Sequence, residues 1–180
     1  MVRKNINTPE FWDKEWSLNR RRILRKKDYL FNIVEVLIPD GLSVLELGCG
    51  TGRFLRWFKG RKIYGVDISP VAIEFLASHG IDGEAANLEN FDYFDKKFDV
   101  IVISHTLEHI ENDEGLVKNM RRIAKKFVIV LVPNGSLGPE KLPEHIRAYT
   151  YDTLSALMLK YFSRCEDHSF KRHLILKCYV

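Results

Sequence analysis

Apolar residues along the chain follow two spacings, one typical of buried strands and the other typical of helices. Short apolar runs predict five strands, at 43–47, 62–66, 83–86, 98–104 and 127–132. Between them, apolar residues recur at helical spacing, for example at Leu116, Met120 and Ile123. Strands that alternate with helices predict a mainly parallel sheet with helices on both faces, which is a Rossmann-like α/β fold.

Local signals mark where several helices begin and end. Thr8, Ser69 and Thr150 stand where an N-cap is expected, and a proline follows each of the first two. We expect a helix from Pro9, a second with apolar residues between Ile23 and Ile38, a third over 70–80, and a last one after Thr150. Phe54, Leu55 and Phe58 predict one more helix, directly after a glycine-rich loop.

The C-terminal part of the chain breaks the alternation. Two apolar runs, at 162–166 and 174–180, follow each other with no helix between them. Such neighbours predict an antiparallel hairpin at the edge of the sheet. With 180 residues and ordinary hydrophobic content, 46%, the whole chain 1–180 is expected to form a single domain.

The bulk composition limits the setting. No apolar run reaches the length of a membrane span and no signal peptide is visible, so we expect no membrane association. Three cysteines, Cys49, Cys165 and Cys178, have neither an even count nor zinc-type spacing, which argues against a disulfide framework or a structural zinc site. Together these features favour a reducing, cytoplasmic location.

A glycine-rich loop after the first predicted strand is the first candidate ligand site. Gly48, Gly50 and Gly52 let the backbone turn sharply and approach a ligand, and the helix expected next would present free N–H groups. Arg53 stands where a dinucleotide-binding loop has its last glycine, so an NAD enzyme is disfavoured, and no phosphate-binding lysine motif is present. Asp67, after the second strand, suits the two hydroxyls of a ribose, or else caps the turn before Ser69.

The motifs in this order resemble those of class I S-adenosylmethionine-dependent methyltransferases of the small-molecule type. The resemblance covers nearly the whole chain. The segments that carry it are VLELGCGTG at 44–52, YGVDIS at 64–69, FDVIVISHTLEHI at 98–110, VPN at 132–134, HIRAYT at 145–150 and EFWDKEW at 10–16. It implies a seven-stranded sheet whose last strand is antiparallel, and S-adenosylmethionine as cofactor, with S-adenosylhomocysteine as product.

The resemblance also assigns cofactor-binding residues. Gly48 and Gly50 would hold the methionine part, Asp67 the ribose, and Ile68 the adenine. Asn87 departs from the acidic residue usual at its position, although its carbonyl can still accept from the adenine amino group. The full set implied is Glu46, Gly48, Cys49, Gly50, Gly52, Asp67, Ile68, Asn87, Leu88, Ser104 and His105.

Four residues are candidates for a base that removes a proton from the acceptor: His105, Glu108, His109 and His145. The same residue types suit a divalent metal ion, and His105 and His109 would share one face if they lay on a helix. We interpret the Leu107-Glu108-His109 segment as part of the scaffold and assign no metal ligands.

The acceptor is expected to be a small molecule bound between the 1–38 segment and the 133–149 loop. The net charge is +4, and a basic cluster could bind nucleic acid, which makes RNA or protein methylation an alternative. Its residues are Arg20, Arg21, Arg22, Arg25, Lys26 and Lys27. A further alternative is a partner subunit that binds cofactor without catalysis. We expect a monomer or a homodimer.

Overall fold

The computed structural model describes residues 5–19, 29–58, 60–92, 94–137 and 142–180. The basic cluster at 20–27 and the predicted helical residue Ile23 therefore lie outside the described residues. Seven strands and five α-helices make up the described fold, together with short 3₁₀ turns. The helices are α1 (Pro9–Asn19), α2 (Tyr29–Val36), α3 (Pro70–Ser78), α4 (Asp113–Ile123) and α5 (Tyr151–Leu159). The strands are β1 (Val44–Leu47), β2 (Ile63–Asp67), β3 (Gly83–Ala85), β4 (Phe98–Ser104), β5 (Ala124–Pro133), β6 (Arg164–Asp167) and β7 (His173–Tyr179).

The strands form one sheet in the order β3-β2-β1-β4-β5-β7-β6. The pairs among β1 to β5 are parallel, and β7 runs antiparallel to both of its neighbours, β5 and β6. The chain moves outward from β1 to β3 and then crosses back to β4, on the other side of β1. Ligands bind beyond the carboxyl ends of the strands where the strand order reverses in this way, so the order itself locates a site at the ends of β1 and β4.

Alternate residues of the central strands point to opposite faces of the sheet. On β4, Ile101 and Ile103 belong to the core under α4 and α5, whereas Val100 and Val102 belong to the core under α2 and α3. All four side chains are fully buried. Burial on both faces explains why this strand reads as a continuous apolar run, and it confirms the predicted sheet with helices on both sides.

The capping signals are confirmed at three helices. At α1, the Thr8 hydroxyl accepts a hydrogen bond from a first-turn N–H at 3.3 Å. The Ser69 hydroxyl accepts a hydrogen bond from the Ala72 N–H at 3.1 Å. At α5, Thr150 and Thr153 exchange hydrogen bonds between side chain and backbone in both directions. Each cap satisfies N–H groups that have no partner within the helix, and this is why these helices begin where the sequence predicts.

The prediction of an α-helix directly after the glycine-rich loop is wrong. Residues Leu55–Phe58 form only a short 3₁₀ turn, and Gly60, at φ +92°, follows it before β2 begins at Ile63. Leu55 and Phe58 are nevertheless buried, as their spacing predicts. Because the described residues form no α-helix between the loop and β2, the dipole of a long helix does not contribute to this site.

The expectation of unpaired cysteines is also wrong for two of the three. Cys165 and Cys178 form a disulfide bond between β6 and β7, where the antiparallel register places them directly opposite each other. Cys49 is the remaining free cysteine among the described residues, and it is buried. The cysteine pattern therefore no longer supports a reducing compartment. Within the described ranges, no helix combines the length and apolar character needed to cross a membrane.

Candidate functional site

A cavity of about 430 Å³ opens at the carboxyl ends of β1, β2 and β4, where the strand order reverses. One wall comes from the glycine-rich loop and the ends of β2 and β3, and the opposite wall comes from the segment after β4 and the 142–145 loop. Of the predicted site residues, those that line it are Gly48, Asp67, Ile68, Asn87, Leu88, Ser104, His105, His109 and His145. The sequence therefore predicts residues on both walls.

The glycine-rich loop needs glycine for two independent reasons. Gly48 and Gly50 have φ values of +71° and +50°, in the left-handed region that disfavours other residues. A Cβ at Gly48 would overlap the side chain of Thr106, and one at Gly50 would lie 2.6 Å from the ring of Trp16. The loop thus brings its backbone close to both the opposite wall and α1. Gly52 instead packs against Leu76 of α3 and serves the core.

Asp67 ends β2 with its carboxylate held by the backbone. Its two oxygens accept hydrogen bonds from the Gly50 N–H at 2.7 Å and the Ser69 N–H at 3.0 Å. The residue is only 5% exposed, and this burial raises the pKa of Asp67 to about 6, although the two N–H groups and the Trp16 side chain lower it. The carboxylate therefore fixes the loop as well as facing the cavity, so the turn-capping alternative and the ligand-binding prediction describe the same side chain.

Four of the predicted cofactor residues do not border the cavity: the loop residues Gly50 and Gly52, and two residues with buried side chains, Glu46 and Cys49. Glu46, on β1, is buried, and burial together with the nearby Asp67 raises its pKa well above the ordinary range. Burial also raises the pKa of the Cys49 thiol, so Cys49 is a protonated, apolar-like side chain at neutral pH. Both side chains are therefore buried and support the loop from the interior of the protein.

The adenine side of the predicted site is formed by Ile68, Asn87 and Leu88. Leu88 is buried, whereas Asn87 is exposed. The Asn87 side-chain oxygen accepts a hydrogen bond from the Glu89 N–H at 3.0 Å and thereby caps the 3₁₀ turn Leu88–Asn90. Its side-chain NH₂ group and second lone pair remain available toward the cavity.

The opposite wall begins where β4 ends. His105 has a φ of +51°, an uncommon conformation for a residue other than glycine, and its Nδ1 lies 3.5 Å from Glu108 Oε1. His105 therefore does not belong to a helix, and the next residues, Leu107–His109, form only a single 3₁₀ turn. The expected shared helix face of His105 and His109 is therefore wrong: the His105 ring contacts His173, and the His109 ring contacts His145.

Three of the four candidate bases form a compact group. The ligand-type atoms of Glu108, His109 and His145 all lie within 4.8 Å of one another. Glu108 is 1% exposed, and neither of its carboxylate oxygens has a hydrogen-bond partner among the described residues. Burial lowers the pKa of His109, so its imidazole is neutral at neutral pH.

Hydrogen bonds from backbone and side-chain groups hold the 142–149 loop beside these three residues. The Ile146 N–H donates to the Glu108 carbonyl at 3.1 Å, and His109 Nδ1 lies 2.9 Å from the Glu144 carbonyl. The Asn7 side chain donates to the same Glu144 carbonyl at 2.9 Å. Arg147 binds Asp113 at the start of α4, and the Tyr149 hydroxyl donates to Asp113 at 2.7 Å.

The cover of the cavity comes from α1. Trp12 and Trp16 both line it, and the Trp12 ring lies 5.1 Å from the ring of His109. Asp13 anchors α1 by accepting from the Ser69 hydroxyl and, at 3.2 Å, from the Val71 N–H at the start of α3. Several lining residues are not among the predicted site residues, although three of them lie within the quoted motifs, because each is ordinary in its local context: Asn7, Glu15, Glu89, Thr106, Ile110, Leu142 and Glu144.

Known proteins share both this sequence pattern and this fold. A family model described as a methyltransferase domain matches residues 16–168. An uncharacterized protein of Methanocaldococcus jannaschii is 35% identical over 102 residues, covering 55% of this chain and 48% of that protein. A tRNA N(3)-methylcytidine methyltransferase of Drosophila melanogaster is 27% identical over 165 residues, covering 75% of this chain and 47% of that protein. The chain thus spans about half the length of these relatives.

Solved structures agree on the fold. A methyltransferase from Thermotoga maritima, described as S-adenosylmethionine-dependent and as a possible histamine N-methyltransferase, superposes with a TM-score of 0.75 at 22% identity. The match covers 94% of this chain and 97% of that one. Together with the family match over most of the sequence, this places the chain in the methyltransferase-domain family, whose class I members use S-adenosylmethionine.

Proposed function

We propose that this protein transfers the sulfonium methyl group of S-adenosylmethionine to a small-molecule acceptor. The observation that carries the proposal is that a single cavity joins the two predicted walls: Gly48 and Asp67 on one side, and His105, His109 and His145 on the other. Its volume of about 430 Å³ lies in the range of small-molecule sites. A methyl donor and a small acceptor would meet between these walls.

The residues of the first wall fit the cofactor. The buried Asp67 carboxylate has lone pairs left for ribose hydroxyls beyond those that accept from Gly50 and Ser69. Ile68 and Leu88 offer apolar surface for the adenine ring, and the backbone at Gly48 is open to close approach. When bound, S-adenosylmethionine supplies an already activated methyl group.

The residues of the second wall would orient the acceptor. Proximity and alignment supply most of the rate for such a transfer, and a base is needed only if the acceptor loses a proton. His105 is placed for that role at the end of β4, with the Glu108 carboxylate 3.5 Å from its Nδ1. Trp12 and Trp16 cover the cavity and would keep water away from the methyl group.

The first test is calorimetric titration with S-adenosylmethionine and S-adenosylhomocysteine, with NAD as the control ligand. We expect wild-type protein to bind both adenosyl ligands and not NAD. An Asp67→Ala variant should bind them about 100-fold more weakly, since it loses charge-assisted hydrogen bonds. Asp82→Ala, a change at an exposed aspartate near β3, should bind like wild type. Well-folded wild-type protein that binds neither ligand would overturn the proposal.

A second measurement separates an enzyme from a non-catalytic partner subunit. The production of S-adenosylhomocysteine is followed while pools of small-molecule amines, phenols and carboxylates are offered as acceptors. Turnover with one pool would support the enzyme and define the class of acceptor. Tight cofactor binding without turnover on any pool, with RNA and protein pools included, would favour the partner subunit.

RNA is the second candidate acceptor, because one relative is a tRNA methyltransferase and because six basic residues are grouped at 20–27. An Arg21→Gln, Arg22→Gln, Arg25→Gln triple variant tests it. If RNA is the acceptor, this variant should bind tRNA more weakly and with a shallower dependence on salt concentration, because three phosphate contacts are lost. Equal binding and an equal salt slope would remove this candidate.

A further inference from the structure

Glu108 is an unusual buried carboxylate. It is 1% exposed, and no hydrogen-bond donor among the described residues satisfies either of its oxygens. Burying an ionised carboxylate without donors is costly, and such groups are normally paired or bound to a metal ion. His105 Nδ1 lies 3.5 Å from Glu108 Oε1, beyond the distance of a strong charge-assisted hydrogen bond.

His109 is oriented to present a lone pair. Its Nδ1 lies 2.9 Å from the Glu144 carbonyl, which can only accept, so Nδ1 carries the proton and Nε2 does not. A histidine that donates one ring N–H to a backbone carbonyl keeps a lone pair on its other ring nitrogen, and this is the arrangement typical of metal-binding histidines. Asn7 donates to the same carbonyl and holds it in place.

His145 completes the group. The Ile146 N–H donates to the Glu108 carbonyl at 3.1 Å, which fixes the loop that carries His145 beside Glu108. The Arg147 contact with Asp113 secures the same loop one residue further on. The three ligand-type atoms therefore lie within 4.8 Å of one another on a backbone fixed by hydrogen bonds, and His109 and His145 line the cavity.

We propose that Glu108, His109 and His145 bind a divalent first-row transition-metal ion, with Zn²⁺ as the reference ion. Two imidazole nitrogens and one carboxylate suit Zn²⁺, whereas Mg²⁺ prefers oxygen ligands. Three protein ligands leave at least one coordination position open. If the proposed methyl transfer holds, an oxygen or nitrogen atom of the acceptor would bind there and be held beside the cofactor wall. The metal site itself does not depend on that reaction.

The test is titration of the chelator-treated protein with Zn²⁺, in the absence of cofactor, measured by calorimetry. We expect one site in the wild type. Glu108→Gln and His145→Asn should each weaken Zn²⁺ binding by about 100-fold, at least the loss seen when only an outer contact of a metal ligand is removed. The matched control His79→Asn removes an exposed histidine of the outer surface and should leave the affinity unchanged.

Thermal unfolding with and without Zn²⁺ gives a readout that shows whether each variant is folded. Zn²⁺ should raise the Tm of wild type and His79→Asn, and leave the Tm of Glu108→Gln and His145→Asn unchanged, because an ion that binds only the native state stabilises it. Wild-type affinity in Glu108→Gln, or stabilisation by Mg²⁺ but not by Zn²⁺, would overturn the proposal. The same preparations titrated with S-adenosylhomocysteine report separately on the cofactor wall, so failure of one proposal does not imply failure of the other.

Discussion

The two walls of the cavity treat a buried carboxylate in opposite ways. On the cofactor wall, both oxygens of Asp67 accept backbone N–H groups, from Gly50 and Ser69. On the facing wall, Glu108 is at least as buried and accepts no hydrogen bond from the described residues. The first carboxylate stabilises the loop around it, whereas the second is held in place by the packing of its neighbours.

This contrast indicates that the Asp67 carboxylate has a structural role and that the Glu108 carboxylate is free for a ligand-binding role. Asp67 is needed by the glycine-rich loop whether or not a ligand is present, so its removal is expected to affect both folding and binding. The Glu108 carboxylate accepts no hydrogen bond from the described residues, so the described fold gives this group no structural partner, and a ligand is the partner that we propose for it.

The largest effect is expected from Gly48→Ala, because the added methyl group would overlap a side chain of the facing wall. A Cβ at this position would meet the Thr106 side chain, and the φ of +71° is strained for alanine. We expect a loss of about 2–4 kcal/mol in the free energy of unfolding, measured in urea. The control Gly41→Ala has a similar φ, +79°, but nothing within 4 Å of the added Cβ, and should lose only about 1 kcal/mol. Equal losses would show that Thr106 moves aside freely.

The second effect is a pH dependence on the cofactor wall. Burial raises the pKa of Asp67 from its ordinary 3.8 to about 6, so the folded state holds this proton more tightly than the unfolded state does. The wild type therefore loses stability as the pH rises from about 4 to about 6, and the loss is complete above that range. The buried Glu46, whose pKa is also raised, acts in the same direction.

Asp67→Asn removes this titration. The difference in unfolding free energy between the variant and the wild type should therefore shift in favour of the variant by about 2 kcal/mol between pH 4 and pH 7. Urea unfolding at a series of pH values measures it, with the exposed Asp82→Asn as a control that should follow the wild type. Parallel profiles for Asp67→Asn and the wild type would show that Asp67 is not the group that titrates.

A smaller effect is expected from a change in the contacts with Asp113 that hold the 142–149 loop in place. Tyr149→Phe removes a hydroxyl that donates to Asp113 at 2.7 Å while the ring is buried. Because Arg147 still binds Asp113, we expect a loss of about 1–2 kcal/mol in unfolding free energy. Tyr151→Phe, at an exposed tyrosine two residues away, should change it by less than about 0.5 kcal/mol. A Tyr149→Phe variant as stable as this control would show that Arg147 alone holds the loop.

The smallest effect is expected from Glu108→Gln in metal-free protein. Replacing a buried carboxylate without donors by a neutral amide should leave the unfolding free energy unchanged or raise it by about 1 kcal/mol at pH 7. Glu74→Gln, on the exposed side of α3, is the control. A loss of more than about 1 kcal/mol would mean that Glu108 accepts hydrogen bonds that hold the scaffold, and the contrast between the two walls would not hold.

Much of the cofactor wall could be predicted because its parts lie close together in sequence. The structure confirms the predicted bounds of β4, and Ser69 and Thr150 cap the expected helices. The loop at Gly48 follows β1 directly and Asp67 ends β2, so any parallel pairing of these two strands brings them together. The failed prediction nearby, an α-helix at Phe58, came from apolar spacing that fits a buried 3₁₀ turn equally well.

The facing wall shows where local patterns are insufficient. His105 and His109 are close in sequence, yet a left-handed turn at His105 separates their rings and pairs His109 with His145 instead. His109 and Glu144 lie 35 positions apart, and the hydrogen bond between them follows from the path of the 142–149 loop. No spacing rule covers a contact of this kind, because the loop has no repeating pattern.

The sequence by itself determined the alternation of strands and helices, the caps, the glycine-rich loop and the aspartate after β2, since each depends on neighbours within a few residues. Tertiary structure alone decided three other features: the group of Glu108, His109 and His145, the disulfide between Cys165 and Cys178, and the cover that Trp16 places over Gly50. Each joins residues from elements that are distant along the chain. Strand register and loop packing set such contacts, and these are fixed only when the whole sheet and its helices bury their apolar faces together.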